Sequence, residues 1–215
     1  MARLKAVARE QLAEHGAAAL SVRAVARELG VVSSAVYRYV ASRDELLTLL
    51  IIDAYDALGD AAERADAAAP AEATPAERWT AIAHAIRDWA LAHPHEYALV
   101  YGSPVPGYAA PTTTVAPATR VVRALLGPVT DAHRATGLSD GDGALAPTLR
   151  ADLATIAEQL DVDLPPGVLA RAIVAWTQLF GLISFELFGQ TRNGITDHAA
   201  MLDTACQAMT TYIGL

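Results

Sequence analysis

Residues 21–47 read SVRAVARELGVVSSAVYRYVASRDELL, and this stretch decides the fold. Ser21 is a helix-capping residue type, and Val22, Val25, Ala26 and Leu29 follow at i, i+3, i+4 and i+7, which makes one apolar face of a short helix. Gly30 supplies the stop and the turn. Past Val31, Val36 and Val40 lie one helical turn apart, whereas Ser33, Ser34, Tyr37, Arg38 and Tyr39 belong to no apolar stripe. Two short helices joined at a glycine, the second carrying polar and aromatic groups, form the pattern of a helix-turn-helix DNA reader. The side chains suit double-stranded DNA: arginine bonds a guanine edge through two hydrogens, serine bonds several base edges, and tyrosine hydroxyls take phosphates.

Working outward, Leu4, Val7, Ala8 and Leu12 keep helical spacing up to Gly16 and complete a three-helix unit. With Gly30, Val31, Ala35, Val36, Tyr37, Tyr39, Val40, Arg43, Leu46 and Leu47 in place, the segment resembles the TetR family of transcriptional regulators. The resemblance implies that Arg23, Ser33, Ser34, Ala35 and Arg38 face bases, while Ser21, Tyr37, Tyr39 and Arg43 hold phosphates. Two positions depart from the family pattern. Val32 stands where a polar capping residue is usual, so Ser33 is expected to cap the recognition helix instead, and Tyr39 replaces the commoner histidine.

The net charge of −8 looks unsuited to a DNA partner, but it is divided unevenly. Residues 1–50 carry seven basic and five acidic side chains, net +2, against nine basic and nineteen acidic in residues 51–215, net −10. A duplex senses the local face within a Debye length of roughly 8 to 10 Å, so an acidic body is compatible with a basic reading head.

At 215 residues and 53% apolar side chains, the chain can bury a sizeable core. Lys5, Arg9, Glu10 and Glu14 interrupt the first stretch, so no signal peptide is expected. The greasiest segment, Val168 to Phe188, contains Arg171, Gln178 and Glu186 and is expected to fall short of a membrane span. A cytoplasmic protein without membrane association follows. The single Cys206 excludes an internal disulfide and is expected to be a small buried apolar residue.

Beyond residue 50 the spacing is helical throughout, so the expected fold is all-α: a three-helix DNA-binding domain at 1–45, then a larger helical ligand-binding and dimerisation domain at 46–215. A helix running from Leu46 to about Leu58 couples the two, and the alanine-rich stretch Ala61 to Ala76 is expected to end it as a loop. Thr74 then caps a helix to His93, residues 95–103 make a short helix, and Gly102 to Pro111 form an irregular loop. Further helices are expected over Thr112 to Thr136, bent at Gly127 and Pro128, then to Leu160, over Pro166 to Phe188 and over Thr196 to Ile213, with Gly137 to Pro147 as a loop.

The helix from Pro166 is apolar on all sides and needs at least two partners. Trp176, Phe180, Ile183 and Phe188, with Met201 and Met209 of the last helix, are therefore candidates for a dimer interface. The family resemblance implies a four-helix bundle between two subunits, which would present two recognition helices to a palindromic operator. Residues 78–111 resemble the regulatory domain of an actinobacterial subgroup of that family, chiefly through Trp89, His93, Pro94 and Tyr97. Trp79, Ile82, Ile86 and Trp89 share a helical face, and His84 pairs with Asp88 at i, i+4. With Tyr97, Tyr101, Tyr108 and Phe180, the residues His84 and Trp89 are candidates to line a small-molecule cavity, core packing being the alternative.

No metal site, cofactor or catalytic residue is expected. His93, His95 and Glu96 have ligand chemistry but lack the paired helical spacing of a hydrolytic zinc motif. Gly141, Gly143 and Ala146 match a dinucleotide-loop spacing without the preceding strand that such a loop requires. The expected partners are a double-stranded DNA operator, a second copy of the chain and a small-molecule effector, in a ligand-responsive repressor that is not an enzyme. The competing reading is a helical enzyme or carrier that keeps the helix-turn-helix only as a packing unit.

Overall fold

The computed structural model describes residues 1–141 and 145–215, which form ten α-helices and no strand. They are α1 (Ala2–His15), α2 (Val22–Glu28), α3 (Ser33–Tyr37), α4 (Arg43–Ala67), α5 (Pro75–Ala92), α6 (Pro94–Tyr101), α7 (Val115–Thr136), α8 (Pro147–Leu160), α9 (Pro166–Leu187) and α10 (His198–Ile213). Single 3-10 turns stand at Ala17–Ala19 and Thr112–Thr114. Of the dinucleotide-like spacing, Gly143 lies outside the described residues.

The chain divides into two compact units, residues 1–57 with 90–118 and residues 58–89 with 119–215. In the first, Leu4 and Ala8 of α1, Val22, Val25 and Ala26 of α2, Val36, Val40, and Leu46, Leu47 and Leu50 of α4 form one buried core. Leu99, Val105 and Tyr108 pack against its edge. Two buttons of charge hold α1 in place. Lys5 Nζ and Arg9 each sit 2.6 Å from a different carboxylate oxygen of Asp53 on α4, and Arg9 Nε is 3.0 Å from Glu96 on α6.

The second unit is built around α9. α10 and α8 pack on it, and α5 is tied to it by Arg87, whose guanidinium donates to both oxygens of Glu186 at 2.7 and 2.6 Å. His84 on the same helix meets Asp203 of α10 at 2.7 Å, not Asp88. Cys206 is buried as expected, and burial pushes its thiol up to about 12. α9 proves long and apolar enough to cross a bilayer by length and composition, with a mean hydropathy of 1.6, contrary to expectation. Arg171 and Glu186 stand near its two ends and leave 172–185 uncharged. A helix enclosed by protein meets the same test. Both end charges are engaged in protein contacts, Arg171 with the carbonyls of Ser139, Asp140 and Ile213, and Glu186 with Arg87.

The helix after the reading head departs from expectation. α4 runs nine residues past Leu58, through the alanine-rich stretch to Ala67. Alanine is the best intrinsic helix former, so these residues carry no stop signal until Pro70. The added turns are also pinned: Arg120 of α7 bonds Asp60 and both oxygens of Glu63, and Arg78 of α5 grips Asp66 at 2.8 and 2.9 Å. Gly59 makes the α4–α7 approach possible, since a Cβ there would lie 2.8 Å from Arg120 Cβ. Gly59→Ala, ordinarily worth about 1 kcal/mol to a helix, is expected instead to lower stability by ~1–3 kcal/mol through overpacking, measured as the shift in urea midpoint.

Thr74 caps α5 as expected, and does so reciprocally: Thr74 Oγ1 accepts from Glu77 N at 3.2 Å while Glu77 accepts from Thr74 N at 2.7 Å. Pro128 lies inside α7, and α10 begins at His198, two residues later than expected, capped by Asp197, which accepts from Ala200 N at 2.9 Å.

Candidate nucleic-acid interface

The reading head is set by its turn. Ser21 Oγ accepts from Ala24 N at 3.4 Å and opens α2. At the other end Gly30 adopts φ +70°, Gly30 N donates to Arg27 O at 3.1 Å and Val31 N donates to Ala26 O at 3.0 Å. These two bonds make a Schellman stop, which needs a left-handed residue at Gly30 and reverses the chain before the second helix. α3 begins at Ser33, with Val32 at the capping position in extended geometry and no side-chain hydrogen bond. The expectation that Ser33 caps the helix is thus corrected, because Ser33 is already its first residue. Val32 is 71% exposed. Val32→Ser keeps a backbone geometry suited to capping and is expected to raise stability by about 0.5–1 kcal/mol, read from thermal denaturation.

Val36 and Val40 point into the core, and this fixes what the rest of α3 presents. Ser34, Tyr37, Arg38 and Tyr39 are exposed, Ser33 and Ala35 half-buried. Arg23 and Arg27 are exposed on α2, and neither they nor Arg38 forms an ion pair among the described residues. Ser21 is half-buried, its hydroxyl engaged as the α2 cap.

Arg43 behaves differently from its assigned phosphate role. Its Nε donates to Leu20 O at 3.2 Å, its second nitrogen to Ala17 O and Ala18 O at 3.0 and 3.2 Å, and its first meets Asp44 at 3.4 Å. The guanidinium therefore braces the start of α4 against the 3-10 turn and the entry to α2. Arg43→Ala should destabilise the reading head by about 1–3 kcal/mol by stripping three carbonyls of a charged donor, visible as a lower melting temperature without DNA present. Sequence reasoning passed over one device here. Ser42 Oγ accepts from Glu45 N at 3.0 Å and Glu45 accepts from Ala41 N at 2.5 Å, a capping arrangement for α4 that the spacing Ser42-x-x-Glu45 announces.

The regulatory candidates sit elsewhere than expected. Within the second unit, a cavity of about 190 Å³ is bordered by Trp79 of α5, Leu125 and Leu126 of α7, Ile156 and Leu160 of α8, and Leu169, Ala172, Ile173 and Trp176 of α9. Among the described residues, no acid, base, hydroxyl or thiol borders it. None of His84, Trp89, Tyr97, Tyr101, Tyr108 or Phe180 lines this cavity. In the first unit, Tyr97 is fully buried with its ring 5.3 Å from Tyr101, which meets Tyr55 edge-on at 6.1 Å, and Tyr108 hydrogen-bonds Thr48 at 2.8 Å. Burial raises the Tyr101 hydroxyl above its ordinary value. These tyrosines are packing residues. Trp89 is buried, His84 faces Asp203, and Phe180 is buried with its ring 6.0 Å from Trp176.

The candidate interface residues divide in the same way. Phe180, Ile183 and Met209 lie in the interior of the protomer, and Trp176 borders the cavity. Phe188 and Met201 remain exposed, joined by Val174, Phe185 and Tyr212.

Two family profiles account for the chain: residues 4–50 match the one described as bacterial regulatory proteins of the tetR family, and residues 79–209 the tetracyclin repressor-like C-terminal domain. The chain belongs to the TetR family. This TetR regulator is 43% identical over 213 residues to the HTH-type transcriptional regulator Rv1816 of Mycobacterium tuberculosis, covering 94% of this chain and 87% of the relative. Regulator Mb1846 of Mycobacterium bovis is equally similar. Among solved structures, protein SCO4313 superposes with a TM-score of 0.79 at 37% identity, covering 98% of this chain and 94% of that one. A protein of unknown function from Rhodococcus sp. RHA1 gives 0.69 at 25% identity, with 95% and 92% covered. The protein is thus a DNA-binding transcriptional regulator.

Proposed function

We propose that the protein is a ligand-responsive repressor that holds a palindromic operator as a homodimer, with residues 1–45 reading DNA and residues 46–215 sensing and pairing. The observation that carries the pairing is a repeated stripe. On α9 the positions Val174, Gln178, Gly181 and Phe185, with Phe188 at its C-terminal cap, recur at 4, 3, 4 and 3, and on α10 Met201, Ala205, Ala208 and Tyr212 recur at 4, 3 and 4. Val174, Phe185, Phe188, Met201 and Tyr212 are all exposed on one protomer. A 3.5-residue repeat of surface apolar groups on two adjacent helices is what a four-helix bundle with a second copy requires.

Arg23, Ser33, Ser34, Ala35 and Arg38 read bases, and Ser21, Tyr37 and Tyr39 meet phosphates. The uninterrupted α4 would carry a shift in the body to the reading heads, moving them off the spacing of successive major grooves. The protein acts where chromosomal DNA is, in the cytoplasm, as a regulator and not as an enzyme. Hydroxyl-radical footprinting on the operator tests the dimer reading. Two protected half-sites about 10 base pairs apart or a multiple of it, with two chains per site, are expected. A single protected half-site at saturation would overturn it.

A further inference from the structure

Val32 breaks a local rule, and nothing in the protein compensates. It holds the capping position of α3 in extended geometry, and its carbonyl accepts from Ala35 N at 2.9 Å, so the backbone is that of a helix cap. A serine, threonine, asparagine or aspartate there would also satisfy an amide of the first turn, which valine cannot do. Packing gives nothing back. Val32 belongs neither to the buried core of the reading head nor to the apolar residues packed against it. At 71% exposure it is the most exposed large apolar side chain among the described residues. An exposed valine on an ordinary helix face calls for no explanation, but one that forgoes a cap does. Together with the exposed Val31 it makes a patch far smaller than the roughly 800 Å² per side of a protein–protein interface.

Its place in the fold says what covers it. In a helix-turn-helix head the first residues of the second helix enter the major groove and meet base edges. Valine has neither donor nor acceptor, so the edges of guanine, adenine and cytosine give it nothing to hold, whereas thymine alone presents a methyl group in that groove. We infer that Val32 is a specificity residue of the reading head, packing its two methyls on the 5-methyl group of a thymine in each operator half-site. Val32 takes this role on the reading in which α3 faces the bases of a palindrome, to which it adds one base and the residue that reads it. The missing cap is then stability given up for a base contact.

Selection of random duplexes by the full-length protein supplies the half-site. Each thymine in it is then replaced, symmetrically, by deoxyuridine, which keeps every base pair and removes only the methyl. One replacement should weaken binding about 4-fold per methyl, roughly 15-fold over two half-sites, the effect of withdrawing one buried methyl group from each. Val32→Ser should lose that sensitivity and bind the thymine and uridine duplexes within about 2-fold of each other, with its response to the other replacements unchanged. Fluorescence anisotropy at fixed salt reads both. Because Val32 lies outside the core, the variant keeps its fold, checked by circular dichroism. A selected half-site without thymine, a series in which no replacement weakens binding more than about 2-fold, or a uridine penalty that persists in Val32→Ser would each overturn the assignment. The dimeric reading fails separately: a lone selected half-site, with a Val32-dependent loss of about 4-fold at one thymine, would keep this contact and remove the palindrome.

Discussion

Replacing Tyr37 and Arg38 together by alanine is expected to lower operator affinity at least about 100-fold while leaving the fold intact. Both side chains are exposed, and Val36 and Val40, which hold α3 to the core, are untouched. Arg38 makes no ion pair among the described residues, so its charge is available to the duplex. A bidentate arginine contact to guanine discriminates by about 1–3 kcal/mol, a tyrosine on a phosphate adds a charge-assisted hydrogen bond, and a dimer loses both twice. Surface substitutions of this kind change stability by at most about 0.5 kcal/mol, so the melting temperature should move by no more than about 2 °C. Fluorescence anisotropy at fixed salt measures the first quantity and scanning calorimetry the second. Wild-type affinity in the double variant would remove α3 from the interface.

Phe185→Glu should convert the dimer into monomers and abolish operator binding at concentrations where the wild type is saturated. Phe185 is 54% exposed near the middle of the α9 stripe, between Gly181 and Phe188. In a twofold interface the same patch meets itself, so a single substitution installs two carboxylates in apolar surroundings. The effective penalty is several kcal/mol per buried ion, enough to raise the dissociation constant at least about 1,000-fold. A lone reading head then loses the second half-site and most of its phosphate contacts, and falls to nonspecific affinity. Sedimentation velocity reads the dimer directly. Because Phe185 is exposed in the protomer, helical content by circular dichroism should not change. A Phe185→Glu protein that still sediments as a dimer would move the interface to another face.

The reading head was legible because every signal in it is local. Ser21 and Gly30 mark the two ends of α2 through bonds to residues three to five positions away, and Val36 and Val40 place the α3 core face at helical spacing. The Ser42 and Glu45 cap was equally local and went unread. The end of α4 was not legible, because alanine favours helix while Ala61 to Ala67 looks like a low-complexity linker; Arg120 and Arg78, distant in sequence, settle it.

The regulatory half needed the tertiary structure for a different reason. α9 is apolar on every side, so composition cannot tell which stripe meets its own protomer and which is left over. Ile183 at 1% exposure and Phe185 at 54% are two residues apart and indistinguishable by hydrophobicity. The tyrosines misled for a related reason: an aromatic that packs against another, as Tyr97 does on Tyr101, has the same sequence signature as one that borders an empty space. What marks the cavity is a ring of Leu, Ile, Val, Ala and Trp contributed by four helices far apart in sequence.

The most direct test of the central claim is a salt-controlled binding measurement of the purified protein on DNA flanking its own gene, with a scrambled duplex as competitor. The expected result is tight binding to one palindromic fragment that survives competition at physiological salt and weakens steeply as salt rises. Binding with no preference among fragments at any salt would contradict a sequence-reading regulator.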